Sequence, residues 1–350
     1  MKKTGLLFTI VFATLAVVQF SCSKGGGGGT PTPSGGLTIT TSKNTVRADN
    51  FDAISITVKD QNNVDVTSTA SIRVNGTIYN GNVFYATTAG SYSIKAVKGS
   101  LESAPVTVTA SDPGPSPYTQ KLLVEDFTGT WCGYCPRVGE SLKTYSNSNP
   151  NSVVIGVHGP AGSSDPYTYQ YVTQLTSLFS VTGWPTAIVN RNYKWSEANT
   201  QLNAELAKRA PLGIGLETSV SGSTIAVKAK VKFDVTTDMP MKLVVMLVED
   251  GLVYAQTNYY APTYGGNPIS GYVHNKTLRT AGTDIFGDDI PAASQTAGTT
   301  WEKTMNISAT GYNISNCKIV ATVVYGTNGI GRKGSLNTQI VAAGQNKNFD

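Results

Sequence analysis

Two cysteines separated by a glycine and a tyrosine constrain this chain more than any other feature. Cys132 and Cys135 follow an apolar segment and precede a segment that can be helical. At a helix start, this spacing places both thiols on one face, where they can close a small disulfide. The amides and dipole of a helix start lower the pKa of the first thiol and favour its thiolate, the attacking species in disulfide exchange. We therefore predict a redox-active dithiol in which Cys132 attacks and Cys135 resolves the mixed disulfide.

A structural zinc site is the main alternative use of these cysteines. It would need two further ligands. The available residues, His158, His274 and Cys317, are all distant in sequence. We therefore predict no metal and no cofactor, and interpret His158 as a structural histidine and Cys317 as an inert core thiol.

Composition limits the classes of function. Charged residues make up only 14% of the chain, against about a quarter in typical globular domains. The formal net charge is +5, and no basic run or patch stands out, so we expect no nucleic-acid partner. Few charges together with 36 glycines indicate an exported, β-rich protein.

The N-terminus has the pattern of an export signal. Lys2 and Lys3 precede an apolar run at residues 5–20, which is shorter than the roughly 18 apolar residues of a membrane-spanning candidate. Bacterial lipoproteins are cleaved just before a cysteine, and Cys22 resembles that position. The alternative is an ordinary secretory signal with a chance cysteine. We predict a membrane-surface anchor made of a signal peptide at residues 1–21, a lipidated Cys22 and a Gly-rich tether at residues 22–36.

Residues 37–110 have a sequence pattern typical of short strands. Ile54, Ile56 and Val58 alternate with polar residues, which is the period of a half-buried strand. The segment looks like a bacterial immunoglobulin-like domain, so we predict a β-sandwich here. Residues 111–117 contain three prolines, which indicate a stiff linker and a domain boundary.

The remaining chain contains two regions with different sequence patterns. Residues 118–210 contain apolar strand candidates, at 121–127 and 153–157 among others, separated by segments that can be helical. Such an order implies a partly parallel sheet covered on both faces. Apolar and polar residues then alternate again at 225–233, and we predict a second β-sandwich at residues 211–350.

Residues 122–136 closely resemble the thioredoxin family, in which a tryptophan such as Trp131 precedes the first cysteine. The resemblance predicts a multidomain α/β plus all-β fold class: a thioredoxin-like domain flanked by an N-terminal immunoglobulin-like β-sandwich and a C-terminal β-sandwich. It also places Asp126 at the position of the family's buried acid, which implies that Asp126 shuttles a proton for Cys135. The alternative is that Glu125 points inward instead, or that neither acid acts.

Pro185 carries the second part of this resemblance. Thioredoxin-like folds have a cis-proline opposite the dithiol, and Pro185 lies at a suitable distance along the chain. The resemblance implies that it keeps a backbone edge free for substrate. Trp184 departs from the family's common small or β-branched residue, so its indole either shields Cys132, restricts substrates or only packs in the core. The implied substrate contacts come from Trp131, Gly133, Tyr134 and Trp184.

A more specific resemblance covers roughly two-thirds of the chain. From about Lys121 onward the sequence resembles the Omp28-related outer-membrane lipoproteins of Bacteroidetes. This resemblance implies an exported outer-membrane lipoprotein that faces the periplasm or the cell surface. The segments that carry it are 127–136, 157–158, 165–167, 184–187, 190–191 and 271–279.

Two functions follow as hypotheses. The first is a membrane-anchored thiol-disulfide oxidoreductase, of the reductase or isomerase type, acting through the Cys-Gly-Tyr-Cys dithiol. It would act on protein thiols or disulfides of the cell envelope and would need an unidentified electron donor. The second is a non-enzymatic surface or outer-membrane structural or adhesion lipoprotein with a static disulfide, for which the aromatic run at residues 254–264 offers a binding surface.

Overall fold

Strands dominate the structure. The computed structural model describes residues 36–160, 164–326 and 332–350, of which 46% are strand and 13% helix. The predicted signal peptide, Cys22 and all of the tether except Gly36 lie outside the described residues. None of the described helices is both long and apolar enough to span a membrane.

The first part of the chain forms two sheets around one core. A three-stranded sheet has the order β1-β3-β6 and a six-stranded sheet contains the other strands. Both sheets bury alternate apolar side chains such as Ile54, Ile56 and Ile94 in a common core. The strands are β1 (Leu37–Thr41), β2 (Thr45–Arg47), β3 (Ala53–Asp60), β4 (Ser71–Val74), β5 (Thr77–Tyr79), β6 (Val83–Tyr85), β7 (Gly90–Lys98), β8 (Leu101–Glu102) and β9 (Val106–Ser111).

The middle of the chain holds all three described α-helices. Strand β10 pairs in parallel with β11 over seven residues, from Leu122 opposite Ser152 to Thr128 opposite His158. On its other side β10 pairs antiparallel with β12. The elements are β10 (Leu122–Thr128), α1 (Cys135–Ser148), β11 (Ser152–His158), α2 (Val172–Phe179), β12 (Thr186–Val189), β13 (Tyr193–Lys194) and α3 (Asn199–Leu206).

The last part of the chain returns to strands. A four-stranded sheet has the order β21-β15-β14-β24, and a separate hairpin pairs β17 with β18. The strands are β14 (Leu212–Ser221), β15 (Thr224–Phe233), β16 (Met241–Glu249), β17 (Leu252–Gln256), β18 (Ile269–His274), β19 (Thr277–Ala281), β20 (Asp288–Ile290), β21 (Thr300–Ser308), β22 (Cys317–Tyr325), β23 (Ser335–Ala342) and β24 (Asn346–Lys347).

A nine-stranded sheet joins the middle and last parts of the chain. Its order is β13-β12-β10-β11-β19-β16-β22-β23, with β20 also paired to β16. Strand β16 is continuously apolar from Leu243 to Val248, because both faces of this sheet are buried. One face packs toward the four-stranded sheet through Leu243, Val245 and Leu247. The other packs toward α2 through Val244, Met246 and Val248.

The predicted fold class is therefore wrong. Residues 118–210 do not form a separate thioredoxin-like α/β domain between two sandwiches, because β11 continues through β19 into the strands of the last part. Their apolar side chains also share one core with Val244, Leu278 and Val320. The chain is mostly β, and the helices cover parts of a sheet that both halves build.

The first part of the chain contacts the rest through Phe51 and Arg47. Phe51 is buried in the core that lies between the nine-stranded and four-stranded sheets. The Arg47 guanidinium donates to the carbonyl oxygen of Asp234, at 2.9 Å, and to its carboxylate, at 2.5 Å. Arg209, which follows α3, donates to the same carboxylate at 2.5 Å. One aspartate thus holds arginines from two other parts of the chain.

Candidate functional site

The two cysteines lie in the connection between β10 and α1. The helix begins at Cys135, with Tyr134 as its N-cap, so Cys132 lies just before the helix rather than at its first turn. The two sulfur atoms are joined in a disulfide. Cys132 is only 3% exposed and Cys135 only 2%. Tyr134, between them, is 53% exposed.

A segment from the last part of the chain covers this connection. We call residues 256–260, which begin at the end of β17, the covering segment. The Gln256 side-chain amide donates to the carbonyl oxygens of Gly129, at 3.1 Å, and Cys132, at 3.0 Å. The backbone amides of Thr257 and Tyr259 donate to Thr130 and Gly133, each at 2.8 Å. The backbone around the disulfide is thus paired with the chain's own residues.

Gly133 brings the covering segment into close contact. A Cβ atom built on Gly133 would lie 2.4 Å from the Tyr259 ring, so only glycine allows this approach. The Tyr134 and Tyr259 rings pack edge-to-face with centroids 5.1 Å apart. The predicted substrate contacts Gly133 and Tyr134 are therefore partly occupied by Tyr259.

Trp131, Trp184 and Pro185 are further residues that the sequence predicts for the site. The Trp131 indole donates to the carbonyl oxygen of Gly159 at 2.8 Å and packs edge-to-face on Trp184 at 6.1 Å. Trp184 also packs on Phe127 and belongs to the edge of the core around α2. These contacts favour core packing among the roles considered for Trp184. The Trp184–Pro185 peptide bond is cis.

Asp126 and Glu125 are both buried, on opposite faces of β10. Glu125 forms two hydrogen bonds with Arg191, at 2.8 and 3.1 Å. The Oδ1 atom of Asp126 has no hydrogen-bond partner among the described residues. Burial raises the pKa of Asp126 to about 7. Asp126 and Cys135 line a common cavity of about 280 Å³.

Two histidines line the same cavity, with rings 5.1 Å apart. His158 pairs through Nδ1 with Asp165 at 3.0 Å, which agrees with a structural role. Burial and the nearby His158 lower the pKa of His274 to about 4, and its Nε2 atom has no partner among the described residues. The part of the chain that the structure describes contains no group of three or more potential ligands able to hold a metal ion.

Gln256 and His274 lie near the disulfide connection, although the sequence does not predict them there. Both lie more than 120 positions after Cys132, and no local pattern links them to it. One local feature points to this part of the chain. The tyrosines at residues 254–264 predict a binding surface, but they do not say where in the fold it lies. That Tyr259 would lie on Gly133 depends on the tertiary fold.

Comparison with protein families identifies the chain. Residues 172–347 match the family model described as "Outer membrane protein Omp28". This match covers slightly more than half of the 350 residues. The chain belongs to the Omp28 family. It is therefore an outer membrane protein.

Solved structures add a shared fold to the Omp28 assignment. The chain is similar to "HBP35 of Porphyromonas gingivalis", with 18% identity and a TM-score of 0.53, over 65% of this chain and 76% of that one. A β-glucosidase from Kluyveromyces marxianus overlaps 85% of this chain and 45% of its own length. Its identity is 8% and its TM-score 0.19, so it supports no argument. No curated protein matches the chain.

Proposed function

We propose that this Omp28-family protein is a non-enzymatic structural or adhesion lipoprotein of the outer membrane, and that its Cys132–Cys135 disulfide is static. The observation that carries the proposal is the burial of Cys132 and Cys135 where the chain's own covering segment binds the connection that holds them. Disulfide exchange requires a thiolate to approach a sulfur atom directly. A folded protein substrate cannot make that approach while residues 256–260 are in place.

The reduction potential of the disulfide tests this proposal. A structural disulfide has a potential below about −300 mV, and we expect such a value for the full chain equilibrated with dithiothreitol. A Cys135→Ala variant expressed in cells should trap no mixed disulfide with another envelope protein. A potential in the range of about −120 to −270 mV, where exchange proteins lie, together with trapped partners, would contradict the proposal.

The second candidate is the thiol-disulfide oxidoreductase, and Asp126 is the observation that favours it. A buried carboxyl group with a pKa of about 7, beside Cys135 in one cavity, can exchange a proton with a thiol at neutral pH. This function would use envelope protein thiols or disulfides and an electron donor. It also requires the covering segment to open, and the trapping experiment above separates the two candidates.

Lipidation at Cys22 belongs to the same proposal. It rests on the sequence pattern of the first 36 residues. Cells grown with an alkyne analogue of palmitate should label the natural protein, and a Cys22→Ser variant should lose the label. An unlabelled natural protein would instead indicate an ordinary secretory signal.

A further inference from the structure

Helices α1 and α3 leave a groove between them on the outer side of the protein. Leu142 and Tyr145 of α1 and Leu202 of α3 share one buried core beneath this groove. The Tyr145 hydroxyl bridges the helices by donating to Oδ1 of Asn203 at 2.8 Å. The groove has a volume of about 630 Å³, which lies within the usual range for ligand sites.

The groove is lined by uncharged hydrogen-bonding groups. Helix α1 presents hydroxyls and α3 presents carboxamides; the side chains concerned are Ser141, Thr144, Ser148, Asn199 and Asn203. All five residues are exposed. Within the described part of the chain, the side chains of Ser141 and Asn199 have no hydrogen-bond partner, while the Asn203 amide keeps its donors available. Such a lining matches a ligand with many hydroxyl groups.

Charge in the groove is balanced internally. Glu140 is the one charged residue in the described lining of this groove. Its carboxylate pairs with Lys143 at 3.0 Å and accepts a hydrogen bond from the Tyr272 hydroxyl at 3.3 Å. A phosphate-rich or acidic ligand would require basic side chains here. The groove therefore suits a neutral ligand.

A run of tyrosines extends the groove toward the disulfide. Tyr264 lines the groove and packs edge-to-face on Tyr260 at 6.0 Å. Tyr260 then packs on Tyr134 at 5.9 Å, and Tyr134 packs on Tyr259 at 5.1 Å. Tyr259 is 60% exposed. Tyrosine offers a rigid apolar ring with a polar tip, which can pack on the C–H face of a sugar ring while neighbouring groups bind its hydroxyls.

We infer that the α1–α3 groove and its tyrosine run bind a neutral oligosaccharide. This inference rests on the proposed surface role and names the ligand class for it. The static disulfide then has a use in this site, since it fixes the connection that carries Tyr134 at one end of the run.

Saturation-transfer NMR on the full chain tests the inference. The protein would be held in lauryldimethylamine oxide, a detergent without sugar, and mixed in turn with maltohexaose, mannohexaose and chitohexaose. We expect at least one of these sugars to bind. Asn199→Ala should weaken that binding roughly 2- to 10-fold, the effect of one hydrogen bond, and Tyr264→Ala should weaken it at least as much.

Matched variants outside the groove serve as controls. Asn62→Ala and Tyr171→Ala change an exposed asparagine and an exposed tyrosine elsewhere on the surface, and both should bind sugar like the natural protein. Ser141→Ala, which favours the helical state of α1, keeps the test valid if Tyr264→Ala does not fold.

Two results would overturn the inference: none of the three sugars binds the folded protein, or binding is unchanged in all the groove variants. A protein-binding surface would give the first of these results. Neither result alters the reduction potential or the trapping result for Cys135→Ala. The failure of this inference is therefore distinguishable from failure of the static-disulfide proposal.

Discussion

Neighbouring acids on β10 show how one strand buries two carboxyl groups in different ways. Glu125 and Asp126 point to opposite faces, as successive strand residues do. Glu125 is neutralised by the guanidinium of Arg191. Asp126 has no such partner, so the fold favours its protonated form. The sequence placed Asp126 beside the dithiol by family resemblance alone, and burial supplies the physical reason for its altered acidity.

Asp126 should make the stability of the protein depend on pH. Its pKa is about 7 in the native state, against an ordinary value of 3.8 for an aspartate side chain. Between these values the native state holds a proton that the unfolded state has released. The group therefore stabilises the fold below about pH 4, and this contribution is lost as the pH rises through 7. The dependence is at most about 1.4 kcal/mol per pH unit.

Asp126→Asn should remove this dependence, because the amide stays neutral. We expect the variant and the natural protein to have similar free energies of unfolding at pH 4, and the variant to be the more stable at pH 8. Urea unfolding from pH 4 to pH 8 measures both. Asp289→Asn, at an exposed position on β20, is the control. Parallel stability curves for Asp126→Asn and the natural protein would contradict the assignment.

Gly133 and Tyr259 allow a test of the close contact over the disulfide. Gly133→Ala places a methyl group where the Tyr259 ring lies, and such overpacking typically costs about 1–3 kcal/mol of unfolding free energy. The cost should fall sharply in a Tyr259→Ala background, because the ring is gone. A double-mutant cycle measures this coupling. Equal costs in both backgrounds would show that Tyr259 does not cover Gly133.

At the scale of elements, the covering segment determines how accessible the disulfide is. Gln256 binds two carbonyl oxygens of the β10–α1 connection, and removing it leaves both without that donor. Both oxygens still accept from the backbone amides of Cys132 and Cys135, so the variant loses about 0.5–1.5 kcal/mol for each missing hydrogen bond. We expect Gln256→Ala to accelerate reduction of the disulfide by dithiothreitol at least about tenfold. Gln61→Ala, at an exposed turn, should leave the reduction rate unchanged. An unchanged reduction rate in Gln256→Ala would show that the covering segment does not limit access to the disulfide.

The sequence predicted elements better than their partners. The alternation at residues 225–233 predicted a strand, and β15 spans Thr224–Phe233. This prediction succeeds because a half-buried strand alternates apolar and polar residues along the sequence. Asp165 followed by Pro166 is a pattern that predicts the start of a helix, yet α2 begins at Val172. The Asp165 carboxylate instead accepts from the Thr130 amide and pairs with His158, which are tertiary contacts that no local pattern encodes.

The same limit explains the error in fold class. The apolar residues of β16 predict a strand buried on both faces, but they do not say which strands lie beside it. In the structure β16 pairs with β19, and β19 pairs with β11. That single connection merges a region expected to be a separate α/β domain with the sheets of the last part.

At the scale of the whole molecule, the family match and the disulfide lie in different parts of the sequence. The match begins at residue 172, after both cysteines, but it includes the covering segment that hides them. The last part of the chain therefore supplies the cover, the β17–β18 hairpin and Tyr264 of the groove. The Cys-Gly-Tyr-Cys connection lies in a surface that the middle and last parts of the chain build together. The accessibility of the disulfide therefore cannot be inferred from the motif alone.

Asp234 should determine how the first part of the chain is held against the middle and last parts. Burial raises the pKa of Asp234, but hydrogen bonds from Arg47 and Arg209 outweigh it and hold the pKa below the usual 3.8. A depressed pKa means that this stabilisation is present above about pH 4 and is lost as the pH falls further. Hydrogen bonds to a charged group contribute about 1.5–3 kcal/mol each.

Asp234→Asn should therefore loosen the contact at neutral pH. We expect the backbone amides of residues 47–53 to exchange hydrogen at least about tenfold faster in the variant, as measured by mass spectrometry, because this segment carries Arg47 and Phe51 into the contact. Amides of β7, which lie in the separate core of the first part, should keep their rates. Faster exchange throughout the first part would mean that Asp234 stabilises its folding rather than its placement. Unchanged exchange at residues 47–53 would mean that the other contacts, such as Phe51 in the shared core and the hydrogen bond from Arg332 to Asn50, hold the first part in place without Asp234.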